Sequence, residues 1–237
     1  MITSKVLPGL IRIVLPGVNC FALDGRDDGL ILIDAGLPGR FRHIQRALKS
    51  RGWAVTDLRH ILVTHAHADH TGSLAELQAE SGANVYMHRS EARFVAEGSV
   101  THRMTPSPGF LSKMLYYGII ARMPSQMPPA QTDQFVTDGD VLPLVGGIQV
   151  IGTPGHSEGH VVFLVRELGV LFVGDAAMNL LGLREIPAYE NRRQGLMSLA
   201  RLSRLDFEVA CFGHGESINS GAEKAFRRKW GRVSARA

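Results

Sequence analysis

ILVTHAHADHTG, residues 61–72, places three histidines and an aspartate, His65, His67, Asp69 and His70, directly behind an apolar run. Ile61, Leu62 and Val63 read as the end of a buried strand. Residues two apart on extended backbone project the same way, so His65 and His67 can meet one cation. Asp69 and His70 fall where the chain is expected to turn into a helix beginning near Gly72. They therefore point elsewhere, and a second cation is their natural occupant. Neutral imidazole with carboxylate suits zinc, at roughly 2.0–2.2 Å, and also iron or manganese. The helical zinc motif has two histidines four apart on one face, whereas these ligands alternate along the chain.

Four ligands do not complete two metal sites, and three distant segments supply more. TPGHSEGH at 153–160 offers His156 in a Gly-rich turn after the apolar run Ile148 to Ile151. LFVGDA at 171–176 offers Asp175 at the end of another apolar run, and ACFGHG at 210–215 offers His214. Each candidate stands where a buried strand gives way to a Gly-containing loop, where a rigid scaffold presents side chains to a shared cleft. The expected constellation is His65, His67 and His156 on one metal and Asp69, His70 and His214 on the other, with Asp175 bridging. His160 begins the strand VVFLV and is expected to support the site from behind. His43, His60, His88 and His102 have no partners at ligand spacing and are expected to be surface or packing residues.

From Asp34, at the end of LILIDAG, to His214, the chain resembles the metallo-β-lactamase superfamily, whose HxHxDH motif is followed by a distant histidine, a bridging aspartate and a final histidine. The resemblance implies an α+β fold, an αββα four-layer sandwich of two mixed β-sheets with flanking helices and a dinuclear metal cleft at one edge. It also implies that Asp34 supports the site by holding a ligand, since a metal-bound histidine needs a partner for its other ring nitrogen.

Composition agrees with a single domain over 1–237: 45% of residues are hydrophobic and 20% charged, enough for a substantial core, and no low-complexity linker divides the chain. The longest apolar runs are strand-sized, so no membrane span and no membrane partner are expected, and the N-terminus lacks a signal peptide's apolar core. Cys20 and Cys211 are too few for a disulfide framework and read as buried free thiols, which points to the cytoplasm. The net charge is +4, but residues 219–237 alone carry +5, leaving the body near −1. A basic C-terminal helix of this kind is a solvated face or an interface, so no nucleic-acid partner is expected.

Strands are expected at Leu10–Val14, Cys20–Leu23 and Leu30–Ile33, with GRDDG at 25–29 as a turn and a helix opened by Pro38. A strand at His60–Val63, a helix at Ser73–Glu80 and a strand at Asn84–Met87 follow. Later strands are expected near Ile148, at Val161–Val165, Val170–Val173 and Val209–Phe212, and helices at about 191–204 and 222–230. Strands meander and then alternate with helices in both halves, the order of two related halves packed sheet to sheet. Between them, residues 99–132 hold five of the eleven prolines around FLSKMLYYGIIARM. This insertion is expected to be a lid over the cleft or a homodimer interface, with a core helix as the bland alternative. Phe110, Leu111, Met114, Leu115, Tyr117 and Ile119 are its candidate contacts, and Met178 and Tyr189 are further candidates for touching substrate.

Two cations about 3.5–4 Å apart can share a water and lower its pKa from about 15.7 toward about 7. The resulting bridging hydroxide would attack a carbonyl or phosphoryl centre, with Asp69 orienting it and accepting a proton and Asp175 bridging the metals. Departures from known branches narrow the substrate. Two-zinc β-lactamases usually carry cysteine at the position of Asp175, the diiron electron-transfer branch tends to have glutamate at His67, and acyl-homoserine lactonases have tyrosine at Met178. Glyoxalase II enzymes carry a glycine, cysteine and arginine-containing segment where AAMNLLGLREIP stands. The expectation is a two-zinc hydrolase of the glyoxalase II and lactonase-like group, acting on a small ester, thioester or lactone with an apolar part. A mononuclear iron persulfide dioxygenase and a phosphodiesterase or nuclease are the alternatives.

Overall fold

Apolar runs with no polar alternation, such as LILI at 30–33 and VVFLV at 161–165, must bury both faces. The computed structural model describes residues 3–101, 103–118, 120–123 and 125–233; His102, Ile119 and Pro124 lie outside the described residues. Its first sheet contains β1 (Thr3–Leu7), β2 (Leu10–Val14), β3 (Asn19–Asp24), β4 (Leu30–Ile33), β5 (Leu58–Leu62) and β6 (Asn84–His88). The chain then forms a two-residue strand, β7 (Thr105–Pro106), before β8 (Gln134–Val136) closes the first sheet beside β6. The meander β1 to β4 is antiparallel, and β4, β5, β6 and β8 pair in parallel. The second sheet has the order β16 (Val209–Phe212), β12 (Val170–Gly174), β11 (Val161–Val165), β10 (Ile148–Gly152) and β9 (Val141–Leu142). Two short strands, β13 (Met178–Asn179) and β14 (Leu183–Arg184), make a hairpin, and β15 (Ala188–Tyr189) pairs with β7.

Successive side chains of the central strands feed different cores, because they alternate across the sheet. In β4, Leu30 and Leu32 enter the outer core of the first sheet, while Ile31 and Ile33 enter the layer between the sheets. In β11, Val161, Phe163 and Val165 enter that same inner layer, and Val162 and Leu164 face the opposite way. The outer cores are covered by α1 (Phe41–Lys49), α3 (Leu74–Ser81) and α4 (Arg89–Glu97) on the first sheet and by α6 (Arg192–Leu202) and α7 (Ala222–Trp230) on the second. Helix, sheet, sheet and helix are thus stacked as the expected four layers.

Local departures from the sequence expectations have identifiable causes. Gly39 adopts φ +70, which interrupts helical backbone, so α1 starts at Phe41 and Pro38 lies in the preceding turn. The helix expected to begin near Gly72 is α3, and a short helix not expected from the sequence, α2 (Ala68–Thr71), precedes it and carries Asp69 and His70. Gly72 packs against residues 37 and 38, where an added Cβ would collide with the Pro38 nitrogen. The turn at 25–29 contains a 3-10 helix, Arg26–Asp28. Helix α5 (Phe110–Gly118) buries none of its residues, which removes the core-helix alternative. Among the described residues, no helix is long and apolar enough to cross a membrane.

Candidate metal centre

The C-terminal ends of β4, β5, β10, β12 and β16 converge on one edge of the two sheets, and backbone bonds lock their loops together. Val161 N donates to Thr64 O at 3.0 Å, Ala35 N to His70 O at 2.6 Å, and Asn19 N to Gly213 O at 2.8 Å. On this frame His65 and His67 extend from β5, Asp69 and His70 sit on α2, and His156, Asp175 and His214 follow β10, β12 and β16. All seven expected ligands meet, in groups His65–His67–His156, Asp69–His70–His214 and His65–His70–Asp175, with ligand atoms within 4.8 Å of one another inside each group.

Outward hydrogen bonds fix which nitrogen of each ring faces inward. The Thr64 hydroxyl, 3.0–3.1 Å from both Asp34 oxygens, donates there, so Thr64 Oγ1 must accept from His65 Nδ1 at 3.0 Å. His70 Nδ1 donates to Asp34 Oδ2 at 2.9 Å, His156 Nδ1 to Ala188 O at 3.0 Å and His214 Nδ1 to Gly17 O at 2.6 Å. The Nε2 lone pairs of these four rings are consequently left for the centre. His65 Nε2 and His156 Nε2 both face His67 Nδ1, at 3.0 and 2.9 Å. One ring nitrogen carries at most one proton and cannot satisfy both lone pairs, whereas a cation satisfies all three. Buried His70 Nε2 and Asp175 Oδ1 make no hydrogen bond among the described residues and stand 3.4 Å apart. Neutral nitrogen donors with carboxylates are the donor set of zinc and of neighbouring divalent metals, so the residues present fit a metal.

Asp175 connects the groups: its Oδ2 lies 3.1 Å from His214 Nε2 and 3.5 Å from His156 Nε2. Asp69 Oδ2 lies 3.5 Å from His214 Nε2 and 3.7 Å from His70 Nε2. The electrostatics differ across the cluster. Burial lowers the pKa of His65, and neighbouring His70, His67 and His156 lower it further, favouring the neutral ring a metal needs. Burial acts the same way on His70 and His214, but the carboxylates of Asp175 and Asp69 outweigh it, holding His70 well above its usual value and His214 at about 9. Positive charge is therefore favoured on the Asp175 side. Asp175 itself is held well below the carboxylate range, burial being overcome by His214 and His70.

Asp34 takes the supporting role that the resemblance implies. Buried and at φ +59, a conformation aspartate tolerates better than most residues, it also accepts from Thr64 N at 2.8 Å. His160 is no ligand: its Nε2 accepts the Asp175 backbone N–H at 3.0 Å, and Nδ1 meets Thr153 Oγ1 at 2.7 Å. Burial drops its pKa to about 3, so the ring remains the neutral acceptor this bond requires. Gly213 is held to glycine by the site, since a Cβ there would lie 2.5 Å from Asp175 Oδ1 and 2.7 Å from His70 Cε1. Of the lone histidines, His60 Nδ1 meets Tyr86 Oη at 3.1 Å and His88 Nδ1 caps α4 at Ser90 N.

Glu91 escapes the sequence reading. Fully buried on α4, it accepts from Ala66 N through Oε2 and from Gly159 N through Oε1, both at 2.9 Å, and so ties the His65–His67 loop to the His156 loop. A signal is present: Glu91 precedes Phe94 and Val95 by three and four residues, placing a carboxylate on the buried face of an amphipathic helix.

The expected substrate contacts divide and need correction. Met178 and Tyr189 are buried, in a small cluster with Ile186 on which Leu115 of α5 packs, so they present no surface to a substrate. Tyr189 has its ring centroid 6.5 Å from that of His156. Phe110, Met114 and Tyr117 are 85%, 50% and 61% exposed and face solvent.

Known proteins share this fold. The chain is 26% identical to the probable metallo-hydrolase YflN of Bacillus subtilis (strain 168), across 90% of this chain and 84% of that protein. It is 30% identical to the thioesterase pkgB of Emericella nidulans across 89% of this chain, which spans about half (49%) of that longer protein. A metallo-beta-lactamase family protein from Thermus thermophilus superposes with a TM-score of 0.71 at 27% identity, covering 95% of this chain and 79% of that one. The sequence model of the metallo-beta-lactamase superfamily matches residues 14–214, from β2 to the last candidate ligand, and the chain belongs to that superfamily.

Proposed function

We propose that this protein is a two-metal hydrolase, with zinc as the metal, that cleaves the acyl bond of a small thioester, ester or lactone with an apolar part. The observation that carries the reading is the position of Asp175, whose Oδ2 lies within 3.1–3.5 Å of one histidine from each ligand group. His65, His67 and His156 would hold one cation, and Asp69, His70 and His214 the other, with Asp175 shared. Bound cations supply an acidified water and a Lewis acid for the charge that develops on a carbonyl oxygen. The chain's own residues do the rest. Asp34, Thr64, Ala188 and Gly17 hold the imidazoles in the tautomer that turns Nε2 inward. Asp69 orients the attacking water and takes up its proton, and His160 fixes the Asp175 backbone. The thioester is put first among substrates because the relative from Emericella nidulans is named a thioesterase. We further propose that residues 99–132 are an insertion in one domain comprising the whole chain.

Metal analysis of protein purified without added metal, with turnover of thioester, ester, lactone and phosphodiester substrates, tests the reading. Two equivalents of zinc and acyl-bond hydrolysis lost in Asp175→Ala are expected. One equivalent of iron with oxygen uptake, phosphodiester cleavage without acyl hydrolysis, or full turnover by the Asp175→Ala variant would overturn it.

A further inference from the structure

The insertion carries an exposed apolar stripe beside the metal centre. At 100° per residue, Phe110, Met114 and Tyr117 fall within an arc of about 60° on α5. The opposite side of the helix is the anchored one: Leu115 packs on the Met178–Ile186–Tyr189 cluster and Tyr116 Oη donates to Met104 O at 2.8 Å. The stripe is thus held outward by its own helix. Its support leads directly to the site, because β7, just before α5, pairs with β15, whose Ala188 O accepts from His156. A second apolar projection has a similar tether. Leu180 and Leu181, 44% and 90% exposed, form the tip of the β13–β14 hairpin, and Asn179 N in that hairpin donates to His214 O at 3.0 Å.

Charge selects the occupant. Residues 99–132 contain no aspartate or glutamate, and Arg103, Lys113 and Arg122 are all exposed. Lys113 lies on the helix next to Tyr117's side of the stripe, the arrangement of an apolar face bordered by cations. A second copy of this chain is a poor match, since two copies of this segment would meet with cations on both sides and no carboxylate on either. An anionic lipid surface satisfies both features, taking the apolar side chains below its headgroups and the cations among them. A helix lying on a bilayer needs no spanning length, so the lack of a membrane-crossing helix among the described residues leaves this role open.

We propose that α5 and its flanks are an interfacial anchor that sets the metal centre against an anionic lipid surface. The anchor does not depend on which bond the enzyme cleaves, and it is measured without turnover. Sedimentation of the full chain with vesicles of phosphatidylglycerol and phosphatidylcholine, compared with phosphatidylcholine alone, is the experiment. Binding is expected to the mixed vesicles, weaker to phosphatidylcholine and weaker in high salt. The triple variant Phe110→Ser, Met114→Ser, Tyr117→Ser is expected to lose about tenfold or more in binding. None of the three is buried, so its melting temperature and metal content should match the parent and separate lost binding from lost folding. Lys113→Glu should remove the preference for phosphatidylglycerol. Retained binding in a variant with Lys224, Arg227 and Arg228 changed to Glu would support α5 over the basic C-terminal helix as the contact. Three results would overturn the proposal: no vesicle binding, undiminished binding by the triple variant, or a parent dimer in light scattering that the triple variant dissolves.

Discussion

Replacing Glu91 with glutamine asks how firmly the two ligand loops must be joined. The side chain is 0% exposed, and each carboxylate oxygen accepts one backbone N–H at 2.9 Å, from Ala66 and from Gly159. Glutamine has the same size but a single acceptor oxygen, so one of those N–H groups must face an NH2. Leaving a buried N–H without an acceptor costs about 1–3 kcal/mol, and exchanging a charge-assisted bond for a neutral one weakens the survivor. A total near 3 kcal/mol is expected; at roughly 2–4 °C per kcal/mol for a chain of this size, Tm falls by about 6–12 °C. The loosened loops carry His65, His67 and His156, so zinc affinity should fall by about 10–100-fold, the usual effect of removing a partner behind metal ligands. Circular dichroism melting of chelator-treated protein measures the first effect, and competition with a chromophoric chelator the second. A metal-free Tm within about 2 °C of the parent, together with unchanged zinc affinity, would refute the view that Glu91 clamps the two loops.

Asp34→Ala removes the acceptor for Thr64 N, Thr64 Oγ1 and His70 Nδ1, so calorimetric metal titration should show the greater loss at the group containing His70, by about 10–100-fold. Asp138→Asn probes a different charge: partial burial pushes this carboxyl up, but hydrogen bonds from Arg201 and Gly152 N outweigh it and hold its pKa below the usual value. Because the folded value is depressed, the pair stabilises the protein above the unfolded carboxylate's pKa of about 3.9 and ceases to do so as pH falls through the folded value. The variant should melt slightly lower near neutral pH, by a few tenths of a kcal/mol after solvent screening, and no lower than the parent in strong acid; melting across that pH range checks it. Cys20 and Cys211 are buried, with burial raising the first thiol well above its usual value and the second to about 12. Ellman's reagent should therefore titrate neither in the folded protein and both in denaturant, and rapid native reaction would contradict their burial.

The ligands are legible in the sequence because each stands in a local pattern: two residues apart beyond an apolar strand, or in a Gly-containing loop after one. Sheet strands such as β4 and β11 are legible as continuous apolar runs, for the reason that both of their faces are covered. Edge elements are not. β8 pairs with β6 nearly fifty residues away in sequence, and its exposed Phe135 gives no alternation to read. Glu91 shows in the sequence only by its place on the buried face of α4, since the backbone N–H groups of Ala66 and Gly159 that it accepts from leave no mark on residue identity. Gly72, just past α2, packs against Pro38, a contact between segments that no local window contains. For the same reason Met178 and Tyr189 look available to a substrate in the sequence, although α5 covers them.

The alternation of β4 and β11 between cores bears on what would happen to a severed chain. A cut inside α5 would leave one fragment holding His65, His67, Asp69 and His70 and another holding His156, Asp175 and His214. The second fragment would also own β8, the edge strand of its partner's sheet, and each would expose one half of the layer between the sheets. Neither piece could shield its apolar face alone, yet the two would fit by strand exchange as well as by stacking. Divalent metal would then favour their reunion, since its ligands are divided between them, and the enzyme cut at this one place would become a reporter of metal concentration through fragment complementation.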